Sequence, residues 1–249
     1  GNPVFDDDSD FVRYLDWLRH YALCYGLNVW AFCLMPDHVQ VICVPDSQGA
    51  LARTFNCVHM RYTRYFHAKR GATGQLWRPR FLSCILDDQS VYEEIRHLEN
   101  HPVRAGYVRQ AEEYPWSSAQ YHVFGNPNPL LTFGFRTYKP IEDWQAYLAV
   151  GGDESVLDRT RKCLRTGRPS GSESFIRILE GIKGCRLRAL LGDVQGNVKL
   201  KMQQKGSGQR KRIAVVLGTR PEAIKLAPII LALRHERRID CTVCATAQH

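Results

Sequence analysis

The chain has 249 residues, 44% of them hydrophobic and 24% charged, with 34 Lys+Arg against 25 Asp+Glu. That is ordinary for a globular protein and excludes collagen-like, disordered and membrane-spanning classes, since no run of about 18 uncharged apolar residues occurs. The acidic opening GNPVFDDDSD lacks the basic-then-apolar pattern of a secretory signal, so a cytoplasmic protein without a membrane partner is expected.

From Ser9 to Gly26, Phe11, Tyr14, Leu15, Leu18, Tyr21, Ala22 and Tyr25 recur at three- and four-residue spacings. This predicts an amphipathic helix with Gly26 placed to cap it. Two β-rich runs follow, Asn28 to Leu34 and Val39 to Val44, separated by Met35-Pro-Asp-His38; Pro-Asp is turn chemistry, so the runs predict a hairpin. A second helix is predicted from Ala50 to Lys69, with Leu51, Phe55, Val58, Tyr62 and Tyr65 on one stripe. The glycines of GATG lead to a predicted strand, Leu76 to Leu86. Ser90 with Glu93 has the spacing of a capping box, predicting a third helix that Pro102 must end. An irregular return follows, then two basic helical patches near 155–166 and 172–182. Gly196 to Lys211 is polar, basic and free of aromatics, and reads as a linker. At Arg212 the sequence turns to Ile-Ala-Val-Val-Leu, a parallel-type strand, with a helix beginning near Pro221.

Charge divides unevenly along the chain. Residues 1–150 carry 14 Lys+Arg against 16 Asp+Glu, residues 151–211 carry 14 against 6, and residues 212–249 carry 6 against 3. A basic arm on a near-neutral domain is the footprint of a nucleic-acid binder, and equally of a solvated linker. The nine cysteines are odd in number and scattered singly, which fits reduced thiols. The one CxxC, Cys241 to Cys244, lacks a second pair and reads as structural.

His38 and Gln40 lie two apart on a strand, so both leave one face while Val39 and Val41 leave the other. His97 and His101, four apart on the third helix, share a face. If that helix crosses the hairpin, four metal-capable or proton-active groups converge, a set that by itself names no reaction.

These residues carry a family resemblance. Cys33-Leu-Met-Pro-Asp-His-Val-Gln-Val-Ile42, Leu76-Trp-Arg-Pro-Arg-Phe-Leu-Ser-Cys84, Arg96-His-Leu-Glu-Asn-His-Pro-Val-Arg-Ala-Gly106, Tyr114-Pro-Trp-Ser-Ser118 and Thr166-Gly-Arg-Pro-Ser-Gly-Ser-Glu-Ser-Phe175 occur in order. Over about 1–190 they resemble the REP-associated tyrosine transposases, a branch of the single-tyrosine HUH transposases. The resemblance implies a ferredoxin-like domain that binds single-stranded DNA hairpins. It also implies Mg²⁺ or Mn²⁺ at the two HUH histidines, and strand cleavage and transfer by a helix-borne tyrosine. In this chain the first histidine is His38, the second is replaced by Gln40, whose carbonyl still suits a hard ion, and His101 completes the set. The position of the tyrosine, five before Pro102, holds His97, the candidate catalytic residue here. Tyr92 cannot substitute, because five helical residues rotate it by about 140° and shift it about 7.5 Å. The expected function is therefore hairpin recognition by a transposase-derived protein whose cleavage is impaired. The candidate DNA contacts are Arg61, Tyr62, Arg64, Tyr65, Trp77, Arg78, Arg80, Arg104 and Arg168, through base stacking and phosphate binding. Members of that family open with a strand ahead of the Gln-Pro-Val-Phe region. Here the chain begins at Gly1-Asn-Pro-Val-Phe5, so an unpaired sheet edge that invites association into a homodimer is expected.

Arg212-Ile-Ala-Val-Val-Leu-Gly-Thr-Arg-Pro-Glu-Ala-Ile-Lys-Leu-Ala-Pro228, with Thr246-Ala-Gln-His249, is similar to the first β-α-β unit of UDP-N-acetylglucosamine 2-epimerases. That resemblance implies that Arg220 and Lys225 face a nucleotide-sugar. It leaves a carbohydrate enzyme of the epimerase type as the alternative function, and otherwise a remnant of gene fusion. The expected fold class is α+β: a ferredoxin-like domain with an antiparallel sheet over 1–125, an irregular return and basic helical tail over 126–195, the linker 196–211, and a truncated Rossmann-like β-α-β fragment over 212–249.

Overall fold

The computed structural model describes residues 3–77, 82–132, 141–150, 154–183, 186–188, 211–217 and 239–248. Helix α1 (Asp8–Tyr25) is opened by Asp7, whose carboxylate accepts from the Ser9 amide. Gly26 closes it at φ 68°, a left-handed conformation that glycine adopts without a Cβ penalty. Strands β1 (Leu27–Met35) and β2 (His38–Pro45) pair antiparallel around Pro36-Asp37, with Met35 opposite His38, so His38 belongs to the strand rather than to the turn. Helix α2 (Ala50–Arg70) packs beside α1 on one face of the hairpin.

The expected strand from Leu76 to Leu86 is corrected. Residues 78–81 lie outside the described residues, and of the remainder only β3 (Leu86–Asp87) is strand. The backbone there is satisfied by the basic tail instead, with Ser170 N donating to Ile85 O at 2.7 Å and Asp87 N to Ser170 O at 3.2 Å. The capping box is corrected too. Helix α3 (Asp88–Glu99) starts two residues before Ser90 because Asp87 is its N-cap, accepting from the Ser90 amide at 3.0 Å. A short α4 (His101–Arg104) continues from it with Pro102 in its first turn, where a missing N–H is harmless.

A 3₁₀ turn at Ala111–Glu113 and helices α5 (Ala119–Phe124) and α6 (Trp144–Ala149) form the return, followed by α7 (Glu154–Thr166) and α8 (Glu173–Lys183) in the tail. Strands β4 (Lys211–Leu217) and β5 (Ile239–Gln248) pair parallel with each other. The sheet order is β1-β2-β5-β4-β3, so β5 runs antiparallel to β2, and β4 antiparallel to β3. The expected unpaired edge is thereby corrected: the chain's own C-terminal strands occupy the far side of β2. The predicted linker up to Gln209-Arg210, the helix near Pro221, and Arg220 and Lys225 lie outside the described residues.

The architecture is α+β, with two apolar clusters on opposite faces of the hairpin. Alternation sorts the side chains. Val39, Val41 and Cys43 enter the cluster beneath α1 and α2, while Ile42 joins the cluster beneath α3, α5 and α6. Cys24, Cys33, Cys43, Cys57, Cys84 and Cys163 are free thiols. Among the described residues no helix is long and apolar enough to cross a membrane.

Candidate functional site

His38, Gln40 and Ile42 leave β2 toward α3 and form the floor of a cavity of about 480 Å³. Glu94, His97, Leu98, His101 and Arg104 descend from α3 and α4 into it, and Leu157, Thr160, Arg161 and Leu164 of α7 close one side. Spacings of three and four along both helices put each set on one stripe. The structure therefore brings together His38, Gln40, His97 and His101, the four residues singled out from the two sequence motifs. The His38 and His101 rings are 4.9 Å apart, and His101 Nδ1 lies 3.3 Å from Gln40 Oε1. His97 and His101 stack with centroids 6.4 Å apart. His38 Nδ1 is 2.6 Å from the Asp37 carboxylate, which leaves Nε2 as its outward nitrogen.

Burial favours neutral imidazoles on the helix side. Desolvation, reinforced by Arg104 and His101, lowers His97 to about 3, and desolvation with His38 and Arg104 nearby lowers His101 to about 4. Glu94 is pushed up to about 7 by burial, against the opposing hydrogen bond from the Thr160 hydroxyl. Among the described residues no three His, Cys, Asp or Glu side chains stand together as a metal-holding group. The set here is two imidazoles and one amide oxygen.

The proposed DNA contacts fare unevenly. Tyr62 and Trp77 are corrected: they are 0% and 7% exposed, within the cluster beneath α1 and α2, and offer no face to a base. The reason is the helical stripe, which turns Tyr62 inward beside Phe55, Val58 and Phe66. Tyr65 is half-buried and donates to Asp10 at 2.9 Å, while Arg61 and Arg64 are exposed. Arg104 lines the cavity, Arg168 is half-buried in the tail, and Arg78 and Arg80 lie outside the described residues. Tyr92 is buried in the cluster on the α3 side, away from the cavity lining. The sequence motifs did not single out Glu94 or Arg161. The signals were present: Glu94 stands three and seven residues before His97 and His101, and Arg161 shares its stripe with Leu157 and Leu164.

Comparison with known proteins bears on a short stretch. Over 39 residues, 16% of this chain and 10% of the relative, the sequence is 56% identical to a probable UDP-N-acetylglucosamine 2-epimerase of Ralstonia solanacearum. Over 38 residues it is 53% identical to a putative UDP-N-acetylglucosamine 2-epimerase of Thermotoga maritima, covering 15% of this chain and 10% of that protein. It is also 55% identical over 38 residues to the UDP-N-acetylglucosamine 2-epimerase of Neisseria meningitidis serogroup A, again 15% and 10%. The chain spans about a tenth of the length of the curated relatives it matches. No family model and no solved structure matches. The matches support the resemblance of a short fragment to that family.

Proposed function

We propose that the β1–β2 hairpin with α3, α4 and α7 is a transposase-derived unit that binds single-stranded DNA hairpins, with strand cleavage impaired. The observation that carries this reading is the meeting of His38, Gln40 and His101 at one cavity flanked by the basic tail. The α1-β1-β2-α2 order, with His38 and Gln40 on β2, supports this reading.

The donor set fits a hard divalent cation, Mg²⁺ or Mn²⁺. His38 keeps an outward nitrogen while Asp37 orients its ring, and Gln40 presents an oxygen. When bound, the ion supplies Lewis-acid polarisation of a phosphate oxygen. The chain's own part is to hold the phosphate: Arg104 and Arg161 line the cavity, and guanidinium groups match phosphate oxygens in pairs. No tyrosine lines the cavity among the described residues, so the group needed to form a covalent phosphotyrosine is absent from that lining. A gel shift with a panel of single-stranded hairpins tests the reading. Binding that strengthens with Mn²⁺ in wild type and not in His38→Ala is expected, and no retardation of any hairpin overturns it.

The comparisons favour a second reading, a nucleotide-sugar enzyme of the epimerase type. It rests on a tenth of those relatives' length, and its candidate residues are Arg220 and Lys225. Calorimetry with UDP-N-acetylglucosamine separates the two: uptake of the sugar nucleotide abolished by Arg220→Ala favours the enzyme, and no uptake favours a fusion remnant.

A further inference from the structure

The cavity has two walls drawn from distant parts of the chain, α3 with α4 on one side and α7 on the other. Both are tied to one carboxylate. Asp87 Oδ1 accepts from the Ser90 amide at 3.0 Å and so opens α3. Asp87 Oδ2 accepts from the Ser172 amide at 2.6 Å, in the link between α7 and α8. Ser170, two residues earlier in that link, is fully buried and shares backbone hydrogen bonds with Ile85 and Asp87. Its hydroxyl lies 3.4 Å from Thr160 Oγ1, on the cavity side of α7. Where the link is seated, α7 is therefore seated too.

The link fits closely on Asp87. A Cβ on Gly171 would lie 2.7 Å from Asp87 Cγ and Oδ2 and 2.6 Å from a Phe175 ring carbon, well inside van der Waals contact. Glycine lets the backbone approach the carboxylate this nearly. Beyond the link, α8 is held by its own packing, since Phe175 and Leu179 are buried in the cluster beneath α1 and α2. Helix α7 is held less firmly: Leu157 and Thr160 are buried, while Asp158, Arg159, Arg161 and Lys162 are exposed. Its place depends on the seat at its end.

We infer that Asp87 is a positioning residue that sets the separation of the two cavity walls, one oxygen holding the start of α3 and the other the link that carries α7 with Arg161. The inference rests on the reading that this cavity takes a nucleic-acid phosphate, and it names the residue that brings Arg161 to it. Two amides must be met at once, which a carboxylate does with its two oxygens. An asparagine has one acceptor and turns its NH2 toward the second N–H. A serine caps a helix as well as an aspartate does, but reaches only one of the two amides.

The test uses Asp87→Ser in the full chain, which keeps the α3 cap and gives up the Ser172 amide. Gly171→Ala, which forces the link off Asp87, is the second variant. Hydrogen exchange reads the seating directly, because a helix of 13 residues is marginal once undocked. The α7 amides should exchange at least about tenfold faster in both variants, with α3 and α8 protected as in wild type. Binding of a single-stranded hairpin at several salt concentrations reads the consequence. Arg161→Ala should flatten the salt slope by about 0.7 in the wild-type background and leave it unchanged in the Asp87→Ser background, where Arg161 is already displaced. General destabilisation would not produce that non-additivity. Unchanged α7 exchange in either variant, loosening of α3 to the same extent as α7, or additive changes in slope overturns the inference. A wild type that binds no hairpin sinks the DNA reading alone, and the exchange of α7 then decides for or against Asp87.

Discussion

The two faces of the β1–β2 hairpin are packed with different chemistry. Beneath α1 and α2 the filling is aromatic: Phe5 stacks on Phe11 at 4.4 Å and meets Tyr14 edge-on at 5.5 Å, and Tyr62 and Trp77 close the layer. On the α3 side, Trp30, Ile42 and Ile95 are interrupted by buried Glu94, Arg96, Glu99 and His122. Rings at these separations interdigitate and leave no solvent space, whereas charged groups must be paired and pull water or ligand toward themselves. The cavity lies on the charged face. On the proposed reading of the cavity, aromatic residues are the weaker guide to a binding surface, and buried ionisable groups the stronger one.

The sharpest test of that division is Glu99. It is fully buried, accepts from Trp144 Nε1 at 2.8 Å and from the Ser118 hydroxyl at 2.5 Å, and faces His122 Nδ1 at 2.5 Å. One carboxylate therefore ties α3 to α5 and α6. Glu99→Ala strands three polar partners in the interior and should lower unfolding free energy by about 3–5 kcal/mol in urea melts at neutral pH. A loss below about 1 kcal/mol would mean that water replaces the carboxylate, and that the α3 face is wet throughout.

Glu94 separates cavity from core by pH. Its folded pKa is raised from 4.5 to about 7, first by burial. Between those values the folded chain holds more protons than the unfolded chain, so its contribution falls as pH rises through that window and is fully lost above it. The penalty at neutral pH and above is about 3 kcal/mol, at ~1.4 kcal/mol per unit. Glu94→Gln keeps an acceptor for Thr160 and should be more stable than wild type by up to that amount at pH 8. The advantage should vanish below about pH 4.5. Equal pH profiles for the two proteins would place Glu94 in contact with solvent.

Much of this arrangement was legible in the sequence because it depends on period alone. Alternation placed His38 and Gln40 opposite Val39 and Val41, and the four-residue spacing aimed His97 and His101 together. The strand expected from Leu76 was not legible. Its backbone is completed by Ser170, some 85 residues away in sequence, and no local pattern announces that partner. The pairing of β5 with β2 was hidden for the same reason. Tyr62 was misread because an amphipathic stripe rich in tyrosine looks the same whether it faces a core or a base.

Tyr62 gives a smaller, cleaner test of the aromatic face. Its hydroxyl donates to the Val4 carbonyl and its ring is fully buried. Tyr62→Phe should cost about 1 kcal/mol of stability, the usual net worth of one hydrogen bond. Oligonucleotide affinity should not change. A fall in affinity without a matching loss of stability would return the ring to the DNA-binding surface.

Arg161 and Arg61 make the finest comparison, because both are exposed and differ in the face they serve. Arg61 lies 5.9 Å from the Tyr21 ring on the aromatic side, and Arg161 lines the cavity on the other. Neither should matter for folding. The ion pairs of Arg161 are exposed, and removing such a residue changes stability by less than about 0.5 kcal/mol. Binding is where they should part. Each phosphate neutralised on a single strand contributes about −0.7 to the slope of log affinity against log salt. Arg161→Ala should therefore flatten that slope by about this amount, while Arg61→Ala leaves it unchanged, if the strand runs along the cavity. Flattening by Arg61→Ala alone would move the strand to the α1–α2 side. The charged face would then serve folding, and the aromatic face recognition.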